Sequence, residues 1–307
     1  DEAKQLYALP FLELLYRAQT IHREHHDNAK MQLAALYNVK TGACPEDCGY
    51  CTQSRHYKTG LKKESLVSVE KTLEQALEAK NNGATRFCIG AAWRSPTDPQ
   101  LNKIIEMVKG VKDLGLESCV TLGMLQADQA KKLKEAGVDF YNHNLDTSPN
   151  YYPEVVTTRT YADRIETLKN VREAGLKVCC GGILGMGESE QDRIELIHQL
   201  ANLDPYPESV PINHLHPVPG TRLGNSPRVA DFDFIRIIAL ARIMMPKCYV
   251  RLTAGRVAMS QTMQALCFFA GANSIFLGPK LLVVTNPELQ ADHQMLQNLG
   301  IEAQTCN

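Results

Sequence analysis

The segment "VEKTLEQALEAKNNGATRFCIGAAW", residues 69–93, holds two structural periods in one line. Val69, Leu73, Ala76 and Leu77 recur at helical spacing, Gly83 stands where a left-handed cap ends a helix, and a β-rich run begins at once. The same punctuation returns three times. Ile104, Val108 and Val111 lead to Gly115 and "ESCVTLG"; a charged segment leads to Gly137 and "DFYNHNLD"; Ile165, Leu168 and Val171 lead to Gly175 and "KVCCGG".

Extended in both directions, the pattern predicts strands over 33–39, 86–92, 117–122, 139–144, 177–181, 209–215, 249–253 and 274–277. Helical patterns fill the gaps, notably over 189–203, 230–245 and 261–270. Alternation of this kind predicts an α/β chain folded as a single (β/α)8 TIM-type barrel over 31–307, with an N-terminal helical extension, 1–30, packed outside it. No long Ser/Pro/Gly linker argues for a split. Of 307 residues 44% are hydrophobic, enough for a substantial core, and 33 basic against 34 acidic residues leave a net charge of -1. That balance argues against nucleic-acid partners and a basic membrane patch. Apolar runs fall far short of a membrane span, so a soluble, cytoplasmic protein is expected. The chain begins with Asp1 rather than Met, which is compatible with a trimmed leader.

Ten cysteines in a chain with its own core point to metal or redox chemistry rather than disulfide staples. Cys44, Cys48 and Cys51 fall within "CPEDCGYC" at C-x3-C-x2-C spacing. Three thiolates so placed hold three corners of a [4Fe-4S] cluster with one iron left open. They equally supply three of four zinc ligands, with His56 as the fourth. Spacing leaves both readings standing. Cys88, Cys119 and the Cys179-Cys180 pair lie in predicted strands two, three and five. One strand cysteine is ordinarily a small hydrophobe, whereas three in one barrel can converge on a second metal centre if they point inward. Of Cys179 and Cys180 only one can do so, and the pattern does not say which.

The C-x3-C-x-aromatic-C loop, with Tyr50 as the aromatic, follows the first strand of a β/α barrel and resembles the radical S-adenosylmethionine (SAM) superfamily. "TGACPEDCGYCTQS", "RFCIGAAW", "YNHNLDTS", "TTRTY", "KVCCGGI", "ESVPIN" and "YVRLTAGR", in that order along nearly the whole chain, resemble the biotin synthase family. The resemblance implies a [4Fe-4S] cluster on Cys44, Cys48 and Cys51 and a [2Fe-2S] cluster on Cys88, Cys119, Cys179 and Arg251, with Cys180 facing outward. It implies SAM held by Tyr50, Asn144, Asp146 and Arg164, and dethiobiotin bound by Trp93, Asn142, Asn144 and Asn213. Asn144, Asp146 and Asn213 would stand closest to the chemistry. That chemistry is hydrogen abstraction from dethiobiotin by a 5′-deoxyadenosyl radical, followed by sulfur insertion from the [2Fe-2S] cluster to give biotin. A flavodoxin- or ferredoxin-type electron donor, iron-sulfur assembly proteins and a homodimer follow as family expectations.

Side-chain chemistry agrees with some of these roles. Asp accepts from ribose hydroxyls, Arg forks onto a carboxylate, and Asn both donates and accepts, as a cyclic urea requires. It resists others. A lone Trp is more often core than pocket wall, and Arg251 would ordinarily sit in a buried ion pair, guanidinium being a poor metal ligand. "GGILGMGE", residues 181–188, lacks the phosphate-loop pattern and reads as a strand end where glycines let SAM approach the backbone. His22, His25 and His26 are expected to be solvated, and Cys248, Cys267 and Cys306 to be packing residues or free thiols. Two segments depart from the family. Val283 and Val284 replace threonines expected near the substrate's carboxylate tail, and His214, His216 and Arg222 are new in the loop after strand six. A C-terminal tail usual in the family is also expected to be missing. The competing readings are a radical SAM relative such as a methylornithine-forming mutase or a hydrogenase-maturation protein, not expected to keep the strand cysteines with Arg251, and a non-catalytic zinc scaffold.

Overall fold

A computed structural model describes residues 1–305, so Cys306 lies outside the described residues. Two helices, α1 (Glu2–Tyr7) and α2 (Phe11–His25), precede the long strand β1 (Lys30–Lys40). There follow α3 (Val69–Asn81), β2 (Arg86–Ala91), α4 (Asp98–Asp113), β3 (Glu117–Thr121), α5 (Ala127–Glu135), β4 (Phe140–Asn142), the short α6 (Tyr152–Val155) and α7 (Tyr161–Glu173). The second half carries β5 (Lys177–Cys179), β6 (Gly182–Leu184), α8 (Glu190–Ala201), β7 (Ser209–His214), α9 (Asp231–Met244), β8 (Tyr249–Leu252), α10 (Gln261–Phe269) and β9 (Ser274–Leu277). The hairpin β10 (Lys280–Leu281) and β11 (Val284–Thr285), then α11 (Leu289–Asn298) and β12 (Glu302–Ala303), complete the order.

All barrel pairings are parallel, and β1 bonds both β2 and β9, which closes the cylinder. The predicted strand over 177–181 is instead broken, with β5 and β6 forming one stave beside β7. Gly181 occupies the break. A Cβ there would lie 1.9 Å from the Pro211 carbonyl oxygen, so the staves approach more closely than any side chain permits. The helix ends follow the sequence signals: Ser68, Thr160, Ser189 and Ser260 accept N-terminal amide bonds, and the four repeat glycines close helices at positive φ.

Strand alternation sorts two cores. Ile89, Val120, Val178, Cys180, Val250 and Ile275 face the helices, while Cys88, Cys119, Phe140, Cys179 and Phe276 fill the lumen. Cys179 is therefore the inward member of its pair. Cys248 and Cys267 are buried in the outer core, as expected of packing residues.

The expectation of solvated histidines fails for two of three. Helix α2 packs on α9, and His22 and His26, four residues apart, share the face turned toward it. His22 is buried, and Arg242 Nη1 lies 2.9 Å from His26 Nε2. Burial and then the Arg242 charge push His22 down to about 3 and His26 to about 4, so both are neutral. Only His25 is exposed. Among the described residues no helix is long and apolar enough to cross a membrane.

Candidate active site

The lumen opens at the C-terminal ends of the strands into a cavity of about 320 Å³. Cys44, Cys48 and Cys51 line its mouth, and Cys88, Cys119, Cys179 and Arg251 line its floor. The mouth thiols are held by a tightly bonded loop after β1. Cys44 N donates to Gln53 O at 2.9 Å, Arg55 N to Cys44 O at 2.9 Å, and Gly49 N to Val155 O at 2.9 Å. Buried Glu46 accepts from Arg94 at 2.8 Å, and Asp47 accepts from the Thr157 amide at 2.9 Å. Burial works against the Asp47 charge, but the bonds from Thr157 and Thr158 outweigh it and hold the carboxyl down at about 2. The loop is thus clamped to residues 157–158.

Burial pushes the thiols of Cys44 and Cys48 up and that of Cys51 to about 12, so only a bound metal would ionise them. Arg159 places Nη2 3.5 Å from Cys48 Sγ. His56 is exposed, and its ring meets Pro45 O at 3.0 Å. His56 is not among the residues that line the cavity with the three thiols, so the Cys3His arrangement is not assembled. Three thiols at a cavity mouth with no fourth protein ligand suit a cluster with an open iron.

Beside this loop, Tyr50 donates to Asp146 Oδ2 at 2.9 Å, and buried Arg164 pairs with the same carboxylate while donating to Tyr152 at 2.9 Å. Burial beside Asp146 keeps the Tyr50 phenol protonated. Asp146 has φ 69°, a left-handed conformation that Asp tolerates better than most residues. Asn144 Oδ1 accepts from Gly181 N at 3.1 Å and from Asn142 Nδ2 at 3.3 Å; Asn213 donates to Gly182 O at 3.0 Å. All of these cofactor and substrate candidates, with Trp93, line the cavity. In "GGILGMGE", the Glu188 carboxylate closes the turn by accepting from the amides of Gly185 at 2.8 Å and Met186 at 2.6 Å, and Ile183 is the side chain that reaches the cavity.

On the floor, Cys88 and Cys119 are register partners on β2 and β3. A hydrogen bond from Cys119 depresses Cys179 to about 5 against the opposing effect of burial, with help from Arg251 and Arg86. The expected ion pair of Arg251 is absent among the described residues. Its Nε donates to Ser274 at 2.8 Å and its Nη2 to Gln32 at 2.9 Å, and the guanidinium lies 4.8 Å from the Phe276 ring centre. A second buried guanidinium, Arg86, stacks at 3.6 Å on Phe140 and bonds Glu117 at 3.1 Å, with its Nη1 unpartnered. Two fixed cations therefore flank three soft thiol ligands, a donor set that fits an anionic iron-sulfur cluster.

The roof is apolar: Leu281, Leu282, Val283 and Val284 of the β10–β11 hairpin line the cavity, as do His214 and His216. Arg222 is not among the lining residues; exposed, it donates to Val155 O at 2.6 Å. Three further groups at the site were not singled out from the sequence: Arg159 and Arg86 sit inside the motifs "TTRTY" and "RFCIGAAW", and His143, inside "YNHNLDTS", is buried with its Nε2 unpartnered among the described residues.

Residues 38–200 match the radical SAM superfamily and residues 211–302 the Biotin and Thiamin Synthesis associated domain. The chain is 59% identical to the biotin synthase of Marinobacter nauticus over 98% of its own length and 86% of that protein. Identity to the biotin synthase of Bordetella avium is 60%, covering 98% and 93% respectively. Among solved structures the FeFe-hydrogenase maturase HydG of Carboxydothermus hydrogenoformans superposes with TM-score 0.84 at 18% identity, over 100% of this chain and 76% of that one. Methylornithine synthase gives 0.81 at 18%, over 98% and 93%. These two likenesses show the barrel fold alone.

Proposed function

The chain belongs to the biotin synthase family of radical SAM enzymes, and from that premise we propose how its cavity inserts sulfur into dethiobiotin. One observation carries the proposal: both thiol triads line the same cavity. Cys44, Cys48 and Cys51 would hold a [4Fe-4S] cluster, and Cys88, Cys119, Cys179 and Arg251 a [2Fe-2S] cluster. Bound there, the first with SAM would supply radical chemistry toward dethiobiotin and the second would supply sulfur.

The protein's own groups do the positioning. Arg159 offsets negative charge at Cys48. Asp146 accepts from the ribose and Arg164 forks onto the methionyl carboxylate; because the two already pair, binding exchanges partners rather than leaving a buried charge bare. Asn142 and Asn213 meet the N-H and C=O groups of the urea ring, with Asn144 between ribose and substrate. Trp93 walls the pocket, the apolar hairpin excludes water, and the amides of Val283 and Val284 receive the carboxylate tail where hydroxyls are lacking. Helices α1 and α2 serve as the outer extension, and the catalytic barrel runs from β1 onward. A homodimer, iron-sulfur assembly proteins and a flavodoxin- or ferredoxin-type electron donor complete the reading.

Anaerobic reconstitution with iron, sulfide and zinc analysis, followed by turnover with SAM, reductant and dethiobiotin, tests it. Biotin together with 5′-deoxyadenosine is expected. Zinc without iron would remove the radical reading, and deoxyadenosine without biotin would point to another substrate.

A further inference from the structure

The stretch "RHYKTGLKK", residues 55–63, carries Arg55, Lys58, Lys62 and Lys63 and no acidic residue, in a chain whose net charge is -1. All four cations are exposed, and among the described residues none enters an ion pair. Nearby Arg94 and Arg159 are different, being matched to buried Glu46 at 2.8 and 3.9 Å. Asp47 is likewise turned away to Thr157 and Thr158, so exposed Glu64 is the acid left beside the stretch.

This stretch is bonded directly to the cysteine loop: Arg55 N donates to Cys44 O at 2.9 Å and Ser54 N to Cys51 O at 3.3 Å. Between the two lies a surface hollow of about 300 Å³, lined by Gly42, Thr52, Gln53, Arg55, Lys58 and Lys63. Thr52 and Gln53 also line the catalytic cavity. One thickness of chain separates the basic surface from the space beside Cys51. An isolated run of cations is ordinarily a solvated face. Here it lies over residues 52–53, which line both the hollow and the cavity, and a cluster in that cavity must receive electrons from outside.

We infer that residues 52–63 form the docking surface for an acidic one-electron carrier protein. The inference rests on the radical reading above. On docking, the reduced carrier gives up one electron and is oxidised by one equivalent, and the cluster on Cys44, Cys48 and Cys51 is reduced by one; no atom is transferred. Opposite charge raises the encounter rate and fixes the carrier's orientation, and salt screens both effects.

The test uses the reconstituted enzyme and photoreduced flavodoxin as the acidic probe, with photoreduced deazaflavin as a small uncharged comparison. The readout is the ratio of the two rates of optical bleaching of the cluster, so that differences in cluster loading cancel. The triple variant Lys58→Glu/Lys62→Glu/Lys63→Glu should lower the flavodoxin-to-deazaflavin ratio about tenfold or more and abolish its decline with ionic strength. Lys109→Glu/Lys131→Glu/Lys169→Glu, with the same charge change on exposed residues of the outer helices, should leave the ratio near wild type. An unchanged ratio in the first variant, or an equal fall in both, would overturn the docking surface while deazaflavin bleaching preserved the cluster reading. Wild-type protein that deazaflavin cannot bleach would remove the cluster reading, and this surface with it.

Discussion

Arg251 reaches the barrel floor with Ser274 and Gln32 as its hydrogen-bond partners, the Phe276 ring beside it and, among the described residues, no carboxylate, so the anionic partner its charge addresses is the thiol group of the floor. Arg251→Met is therefore expected to cost about two irons per chain while the mouth cluster stays loaded, measured by iron and sulfide analysis of reconstituted protein. Unchanged iron content and turnover would show that ligation by Arg251 is not required. Asp146→Asn keeps the shape of the shelf but removes the charge that Tyr50 and Arg164 both address. Charge-assisted bonds of this kind contribute about 1.5–3 kcal/mol, so deoxyadenosine formation should slow about tenfold to a hundredfold, read as initial rate at saturating SAM. The mouth cysteines were legible because their spacing is itself chemical information, whereas the floor cysteines were read from their places on strands and, as a set, from the family resemblance. Arg86 and Arg159 were not, because a guanidinium acquires meaning only from what the fold places beside it: Phe140 and the floor thiols for one, Cys48 for the other.

Among the elements, α2 shows how a charged-looking helix can be half buried. His22 and His26 are neutral in the fold, whereas an unfolded histidine binds a proton below about 6.5. Their contribution to stability is thus complete above pH 6.5 and is lost as pH falls toward about 4. Replacing His22 with Leu removes a buried Nδ1 that has no partner, so the gain in Tm should be larger at pH 5 than at pH 8. An equal gain at both values would contradict this origin. The β5–β6 break makes a second prediction: Gly181→Ala drives a methyl into the Pro211 carbonyl, and should destabilise by about 1–3 kcal/mol or more in urea unfolding. Helix periods and glycine caps had already set out the alternation in sequence. The break was hidden because a strand and two half-strands share one period, and only the approach of β7 separates them.

For the molecule as a whole, the barrel brings together groups more than a hundred residues apart, with the mouth thiols on one loop and the floor thiols on three strands around a common cavity. Sequence order alone could not show that the two triads share a space; the closed pairing of β1 with β9 does. The division predicts separable losses. Cys88→Ala should retain deoxyadenosine formation and lose biotin, whereas Cys48→Ala should lose both, each product being quantified in anaerobic single-turnover assays. The most direct test of the central claim is the isotopic mass of biotin made by protein reconstituted with heavy-isotope sulfide and assayed in light-sulfur medium. The account predicts heavy sulfur in the first biotin formed by each chain; biotin carrying light sulfur would contradict it.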